Sequence, residues 1–178
     1  MELKKIVLAM AMMSGMVAAG AHAAVVDNGS GKVTFNGSVI EAACSVKAGD
    51  DDKVVELGQI ASSALAKGGT STPRNFTIEL ENCDVSTLTD KTVTSTWTGA
   101  SANGINGALG VTGTAKNIGI MLTSGDGAPI VLGTASSAQK LQNGNNTLSF
   151  AAYVKGSDTQ AAAAGNFSGV ANYTLAYQ

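Results

Sequence analysis

Alternation of apolar and polar residues with a period of two is the feature that most limits how this chain can fold. It recurs in eight short stretches, and clusters rich in Gly, Asn, Asp and Ser separate them. Successive side chains of a β-strand point to opposite faces, so this period predicts strands. The predicted strands cover residues 32–40, 53–57, 75–80, 92–98, 117–122, 130–132, 147–154 and 167–177.

Seven or eight short strands in one domain predict an all-β, antiparallel sandwich of immunoglobulin-like character. Residues 49–52 are predicted to form an exposed bend, and residues 124–127 a hairpin connection. A single helical turn is predicted over residues 60–67, with Ser62 as its cap and Gly68 as its end. Trp97, the only tryptophan, is predicted to pack in or near the core.

The N-terminal part of the chain has one small or apolar face and one polar face. The polar face carries only Ser, Lys, Thr and Asn side chains. This pattern is typical of a strand that lies in a hydrophobic groove and exposes its other side to water. The apolar face consists of Gly29, Gly31, Val33, Phe35 and Gly37.

The chain also ends in an amphipathic strand. A final strand with no following partner leaves a sheet edge, and proteins rarely leave a long apolar edge open. The simplest cover for this edge is a strand such as the N-terminal one, supplied by the same or by another molecule. The alternative, equally compatible with the pattern, is that the two segments are the first and last strands of a closed sandwich. The residues that share the C-terminal face are Phe167, Gly169, Ala171, Tyr173, Leu175 and Tyr177.

Residues 1–23 are predicted to be a signal peptide. Lys4 and Lys5 precede a largely apolar run, and the segment ends in Ala21-His22-Ala23, which fits a signal-peptidase site. The apolar run is shorter than the ~20 residues that a membrane-spanning helix needs, so stable membrane insertion is not expected. Cleavage after Ala23 would leave a single domain with an N-terminal segment.

Charge and composition exclude several functions for the cleaved chain. Nine basic and twelve acidic residues would remain, which offers no basic stripe for nucleic acid. The only histidine, His22, lies in the leader, so Ser-His-Asp and Cys-His catalysis and histidine metal sites are excluded. No catalytic residue, cofactor or metal is therefore expected.

Two cysteines, Cys44 and Cys83, remain in a chain directed to an oxidising compartment. A disulfide is the natural interpretation, with two free thiols as the alternative. A redox-active pair is less compatible with the sequence, because neither residue belongs to a C-x-x-C motif.

The chain resembles the major pilins of chaperone-usher fimbriae, such as type 1 and P pilus major subunits. The resemblance covers essentially the whole chain and rests on the order of several motifs around the two cysteines. These motifs are the leader, the runs at residues 31–40 and 43–45, the stretch 56–59, the run at residues 76–83 and the ending at residues 173–178.

The resemblance implies an immunoglobulin-like sandwich that lacks its final strand and is completed by donor-strand exchange. Residues 24–38 would be the donor extension and residues 39–178 the pilin domain, with Cys44 and Cys83 as the pilin disulfide. Gly31 matches the family's donor-strand glycine, and Gly165 and Tyr177 match its C-terminal glycine and penultimate tyrosine. The C-terminal groove strand, which would contact chaperone or donor, would thus contain Gly165, Phe167, Tyr173, Leu175 and Tyr177.

The partners implied are neighbouring copies of the chain, a periplasmic chaperone and an outer-membrane usher. The location implied is an extracellular fimbrium, reached through the periplasm, that supports adhesion. The alternatives are a minor adaptor or tip pilin, a secreted binding domain, or an enzyme based on Asp50, Asp51, Asp52, Glu79 and Glu81. An acidic run in a glycine-rich bend is usually solvated surface, which argues against the enzyme.

Overall fold

The structure is a computed structural model that describes residues 29–178. The predicted signal peptide and residues 24–28 of the predicted donor extension lie outside the described residues. Residues 29–38, taken by themselves, are exposed throughout and contain no helix or strand. Val33 and Phe35 expose 75% and 89% of their surface. The strand predicted over residues 32–40 is therefore not formed here, because a strand requires a hydrogen-bonded partner.

Val39–Gln178 forms a compact unit built almost entirely of β-strands. The strands are β1 (Ser45–Val46), β2 (Arg74–Cys83), β3 (Thr92–Gly99), β4 (Thr112–Gly113), β5 (Ile118–Ser124), β6 (Pro129–Ile130), β7 (Gln139–Lys140), β8 (Gly144–Gly156), β9 (Phe167–Ser168) and β10 (Ala171–Tyr177).

Two main antiparallel sheets make up the unit, as the predicted sandwich requires. The larger sheet has the strand order β1-β2-β8-β5-β6, and the smaller has the order β10-β3-β7. β4 and β9 form a separate short ribbon. In the smaller sheet, β10 pairs with β3 over its whole length, from Ala171 opposite Gly99 to Tyr177 opposite Val93.

The core lies between the two sheets and is formed by the inward residues of the alternating patterns. Burial alternates regularly along β2, β3 and β8, as expected for strands with one face in the core. Trp97 is 5% exposed, which confirms its prediction as a core residue. The largest of the fully buried side chains are Ile78, Leu80, Leu148, Val93, Val154 and Ser95.

The disulfide between Cys44 and Cys83 is present, and both cysteines are buried. It connects the segment just before β1 to the end of β2. The prediction of a disulfide is thus confirmed, and the two free thiols are excluded.

The predicted helical turn is a 3-10 helix over Ser62–Gly68. Its N-cap is Ala61, with no side-chain capping bond, so the assignment of Ser62 as the cap was wrong. Leu65 anchors the turn in a second small apolar cluster with Ala115, Ile118 and Val154.

The predicted connection at residues 124–127 joins β5 to β6, as expected of a hairpin. Within residues 29–178, no helix is long and apolar enough to cross a membrane.

Candidate functional site: an open apolar groove

A groove of about 980 Å³ opens beside β10. Residues 50–60 line one wall, and residues 165–173 line the other. The floor consists of apolar side chains of the core. These floor residues are Phe76, Ile78, Trp97, Leu109, Ile120, Leu122 and Ala152.

Both walls of the groove have backbone groups without a strand partner in the described part of the chain. β10 stands at the edge of its sheet and pairs only with β3. Within residues 29–178, the wall residues 51–60 make no backbone–backbone hydrogen bond. The strand predicted over residues 53–57 is therefore absent, although Val55 and Leu57 are half-buried and their neighbours are exposed. The wall keeps the alternation of a strand but lacks the partner that would make it one.

Phe167 and Tyr173 of the predicted C-terminal face line the second wall, and Leu175 and Tyr177 follow on β10 beyond the groove lining. Phe167, Tyr173, Leu175 and Tyr177 are half-buried and pack against the core, while the residues between Ala171 and Tyr177 alternate with exposed ones. Burial raises the pKa of the Tyr177 phenol above its ordinary value. The side chains of this face are thus only partly covered by the rest of the sandwich.

Gly165 takes part in the groove through its backbone. A Cβ at this position would lie 2.5 Å from the backbone nitrogen of Ala115, so any side chain would force the two segments apart. Gly169 is less constrained, because a Cβ there would lie 2.8 Å from Cδ1 of Ile120, the end of a side chain that can move. These glycines allow the second wall to lie close against the body.

An aromatic cluster lies under the groove. The ring centroid of Trp97 is 5.3 Å from that of Tyr173 and 5.2 Å from that of Phe150. Phe76 stacks on Phe150 at 5.6 Å. The floor is thus apolar and largely aromatic, which favours an apolar occupant over a polar one.

Asp50 is buried at one end of the first wall, contrary to the prediction of a solvated acidic bend. It is 7% exposed, and its carboxylate accepts a hydrogen bond from the backbone amide of Glu79 at 2.6 Å. It also forms an ion pair with Lys53 at 2.7 Å. Burial by itself raises the pKa of Asp50, but Lys53 and the Glu79 amide outweigh it and hold this pKa below its ordinary value.

Sequence reasoning missed one contact between the walls. The hydroxyl of Tyr173 donates a hydrogen bond to the backbone oxygen of Asp50, at 2.9 Å. Burial and the charges of Asp50 and Asp51 raise the pKa of the Tyr173 phenol. The two residues are far apart in the chain, and no pattern in the sequence signals their contact.

The predicted donor residues are not brought to any site by the structure. Gly29, Gly31, Val33, Phe35 and Gly37 lie in the exposed segment described above. Their role therefore stays a prediction. In the described part of the chain, no group of three or more His, Cys, Asp or Glu residues is arranged to hold a metal ion.

A sequence model of the family named "Fimbrial protein" matches residues 33–178. The chain belongs to this family. Among its relatives, the major MR/P fimbria protein of Proteus mirabilis is 45% identical, and the fimbria A protein of Serratia marcescens is 48% identical. Each comparison covers 100% of both chains.

Solved fimbrial structures share the fold. A P pilus rod subunit matches with a TM-score of 0.69 and 32% identity, over 77% of this chain and 100% of that one. A subunit in a chaperone-usher pilus matches with a TM-score of 0.75 and 37% identity, over 85% of this chain and 97% of that one. The resemblance to major pilins is thus confirmed: this fimbrial protein has the incomplete immunoglobulin-like sandwich of chaperone-usher pilins and is of the major-subunit type.

Proposed function

We propose that the chain is the repeating structural subunit of a surface fimbria and polymerises by donor-strand exchange. The N-terminal extension of one copy would enter the groove of the next and complete its sandwich. The open groove carries this proposal, because its floor is apolar core and because neither residues 51–60 on one side nor the outer edge of β10 on the other has a strand partner among the described residues.

The N-terminal extension has the chemistry of the missing strand. Val33 and Phe35 are highly exposed and alternate with polar residues, so insertion would bury both side chains and leave Thr34 and Asn36 in water. Burying each of the two side chains contributes about 1.5 to 3 kcal/mol, and backbone hydrogen bonds to both walls add to this. The small residues Gly29, Gly31 and Gly37 would allow the inserted backbone to lie close to the floor.

The proposed domain organisation follows from this role. Residues 1–23 would be removed on export, residues 24–38 would be the donor extension, and residues 39–178 would be the pilin domain. A free groove leaves an apolar cleft and an unpaired strand edge open to water, so a subunit in the periplasm would need a chaperone to cover it and an outer-membrane usher to exchange that cover for the next subunit. The completed fimbria would extend from the cell surface and support adhesion.

A major subunit is favoured over a minor adaptor. The relatives at 45% and 48% identity cover the full chain, and the first is named a major fimbria protein. The P pilus adaptor subunit shares only the fold, at 18% identity and a TM-score of 0.52. An enzymatic role has no support from the groove, whose floor is apolar.

The direct test is a charge on the apolar face of the extension. We expect Phe35→Asp to abolish fibre formation by the purified mature chain, because insertion would bury an unpaired carboxylate. Thr34→Asp is the matched control, since its side chain would stay in water and fibres would still form. Fibre length by electron microscopy gives the readout. Normal fibres from the Phe35 variant would refute the proposed function.

A further inference from the structure

The first wall of the groove is held mainly by side chains. Residues 51–60 lack backbone–backbone hydrogen bonds to other described residues, so no ladder fixes their distance from β10. Leu57 packs against the core, but apolar contacts are not directional. A hydrogen bond at 2.6 Å, from Nζ of Lys53 to the backbone oxygen of Thr77, links the wall to β2.

Asp50 fixes the start of this wall to the larger sheet. Its carboxylate binds both the Glu79 amide of β2 and the ammonium group of Lys53, so neither buried oxygen lacks a partner. Hydrogen bonds to a charged group are among the stronger ones in proteins. The position of Asp50 relative to β2 is therefore well defined.

Tyr173 connects Asp50 to the opposite wall. Tyr173 belongs to β10, and its half-buried ring packs on Trp97 in the floor. Its hydroxyl reaches the backbone oxygen of Asp50. The side chain thus joins the two walls from the core side, while β10 keeps a backbone edge with no strand partner among the described residues.

We propose that Tyr173 and Asp50 are positioning residues that fix the width of the groove before a strand enters it. The inference rests on the proposed function, because the spacing matters only if a strand is received. Preorganisation lowers the ordering cost of binding, so the contact between these residues speeds the entry of the donor strand.

The width of the groove is measurable with spin labels on its two walls. Val54 and Val170 line opposite walls and are 79% and 73% exposed, so labelled cysteines at these positions report the distance without disturbing the core. All variants carry Phe35→Asp to prevent self-insertion. Distance distributions are recorded by double electron–electron resonance, and the rate of binding is measured with a synthetic peptide of residues 27–39.

We expect Tyr173→Phe to broaden the distance distribution and to slow peptide association about five-fold. That factor corresponds to the ~1 kcal/mol net value of one hydrogen bond. Tyr153→Phe is the matched control, because the Tyr153 hydroxyl on β8 makes no hydrogen bond to another described residue. Asp50→Ala is expected to broaden the distribution as well, and Asp50→Asn to restore part of the narrow distribution because its amide oxygen still accepts from Glu79.

An unchanged distribution and an unchanged rate in Tyr173→Phe would overturn the inference. Equal changes in the Tyr153 control would also overturn it, since the effect would then be general. If the parent groove takes up no peptide, the proposed function fails instead, and the distance distributions still decide whether Tyr173 sets the width.

Discussion

The closed and open sides of the sandwich follow the same alternating pattern but differ in burial. In the larger sheet, β2 is paired on both edges at Leu80, with β1 on one side and β8 on the other, and this inward residue is 0% exposed. On the open side, β10 is paired on one edge, and its inward residues Tyr173 and Leu175 are only half-buried. Alternation in the sequence sets which way a side chain points, whereas a neighbouring strand decides whether it is covered.

The largest expected effect is a difference in the free energy of unfolding when the same Leu→Ala substitution is made on the closed side and on the open side. Leu80→Ala is expected to lower the free energy of unfolding by about 3 kcal/mol, because it leaves a cavity in a closed core. Leu175→Ala is expected to cost about 1 kcal/mol in the unfilled subunit, since its side chain already contacts water. Denaturant unfolding of both variants in the Phe35→Asp background provides the measurement.

Filling the groove should narrow this contrast. With a bound peptide of residues 27–39, the cost of Leu175→Ala is expected to rise towards that of Leu80→Ala. Equal costs without peptide would mean that the side of β10 is already closed and would contradict the comparison.

A smaller effect concerns the pH dependence of stability on the open side. The pKa of Asp50 is lower in the folded state than its ordinary value, so its ionised form stabilises the fold above the unfolded pKa of ~3.9. That contribution is lost as the pH falls through the folded pKa. The difference in urea midpoint between the parent and Asp50→Asn should therefore be largest near pH 6 and shrink towards pH 3.

In the difference between the parent and Asp50→Asn, the contributions of the other acidic residues cancel, because these residues titrate equally in both proteins. Asp84 and Asp126 also have lowered pKa values. The Asp84 carboxylate accepts hydrogen bonds from Ser86, and the Asp126 carboxylate accepts one from the backbone amide of Ala128. A difference in midpoint that stays constant from pH 6 to pH 3 would mean that the charge of Asp50 contributes nothing to holding the wall.

The closed part of the fold was largely predictable from the sequence. The stretches 75–80, 92–98 and 147–154 lie within β2, β3 and β8, and the stretch 117–122 overlaps β5. These strands form because each finds its hydrogen-bonded partners in the same chain. The pattern of half-buried residues at the C-terminus was also predicted. These elements needed only period-two alternation and a complete set of neighbours.

The failures of prediction concentrate around the groove. The stretches 32–40 and 53–57 have strand patterns but form no strand here, since periodicity says nothing about whether a partner is present. Asp50 was taken as solvated because the acidic run 50–52 is typical of surface bends, but only Asp50 is buried. Its contacts with Glu79 and Tyr173 join residues that are distant in the sequence, so a local sequence pattern does not reveal them.

The central claim is that the sandwich of each copy lacks one strand and that the N-terminal extension of a neighbouring copy supplies it. The most direct test appends a copy of residues 27–39 to the C-terminus through a short flexible linker and deletes the original copy. A second variant carries Phe35→Asp in the appended copy as the control. Thermal unfolding and particle size are then compared with those of the parent.

We expect the appended strand to fill the groove of its own molecule. The variant should be a monomer that melts well above the unpaired parent and forms no fibres, whereas the Phe35→Asp control should gain no thermal stability. No gain in melting temperature, with the parent itself a stable monomer, would mean that the sandwich is complete as encoded and would contradict the account.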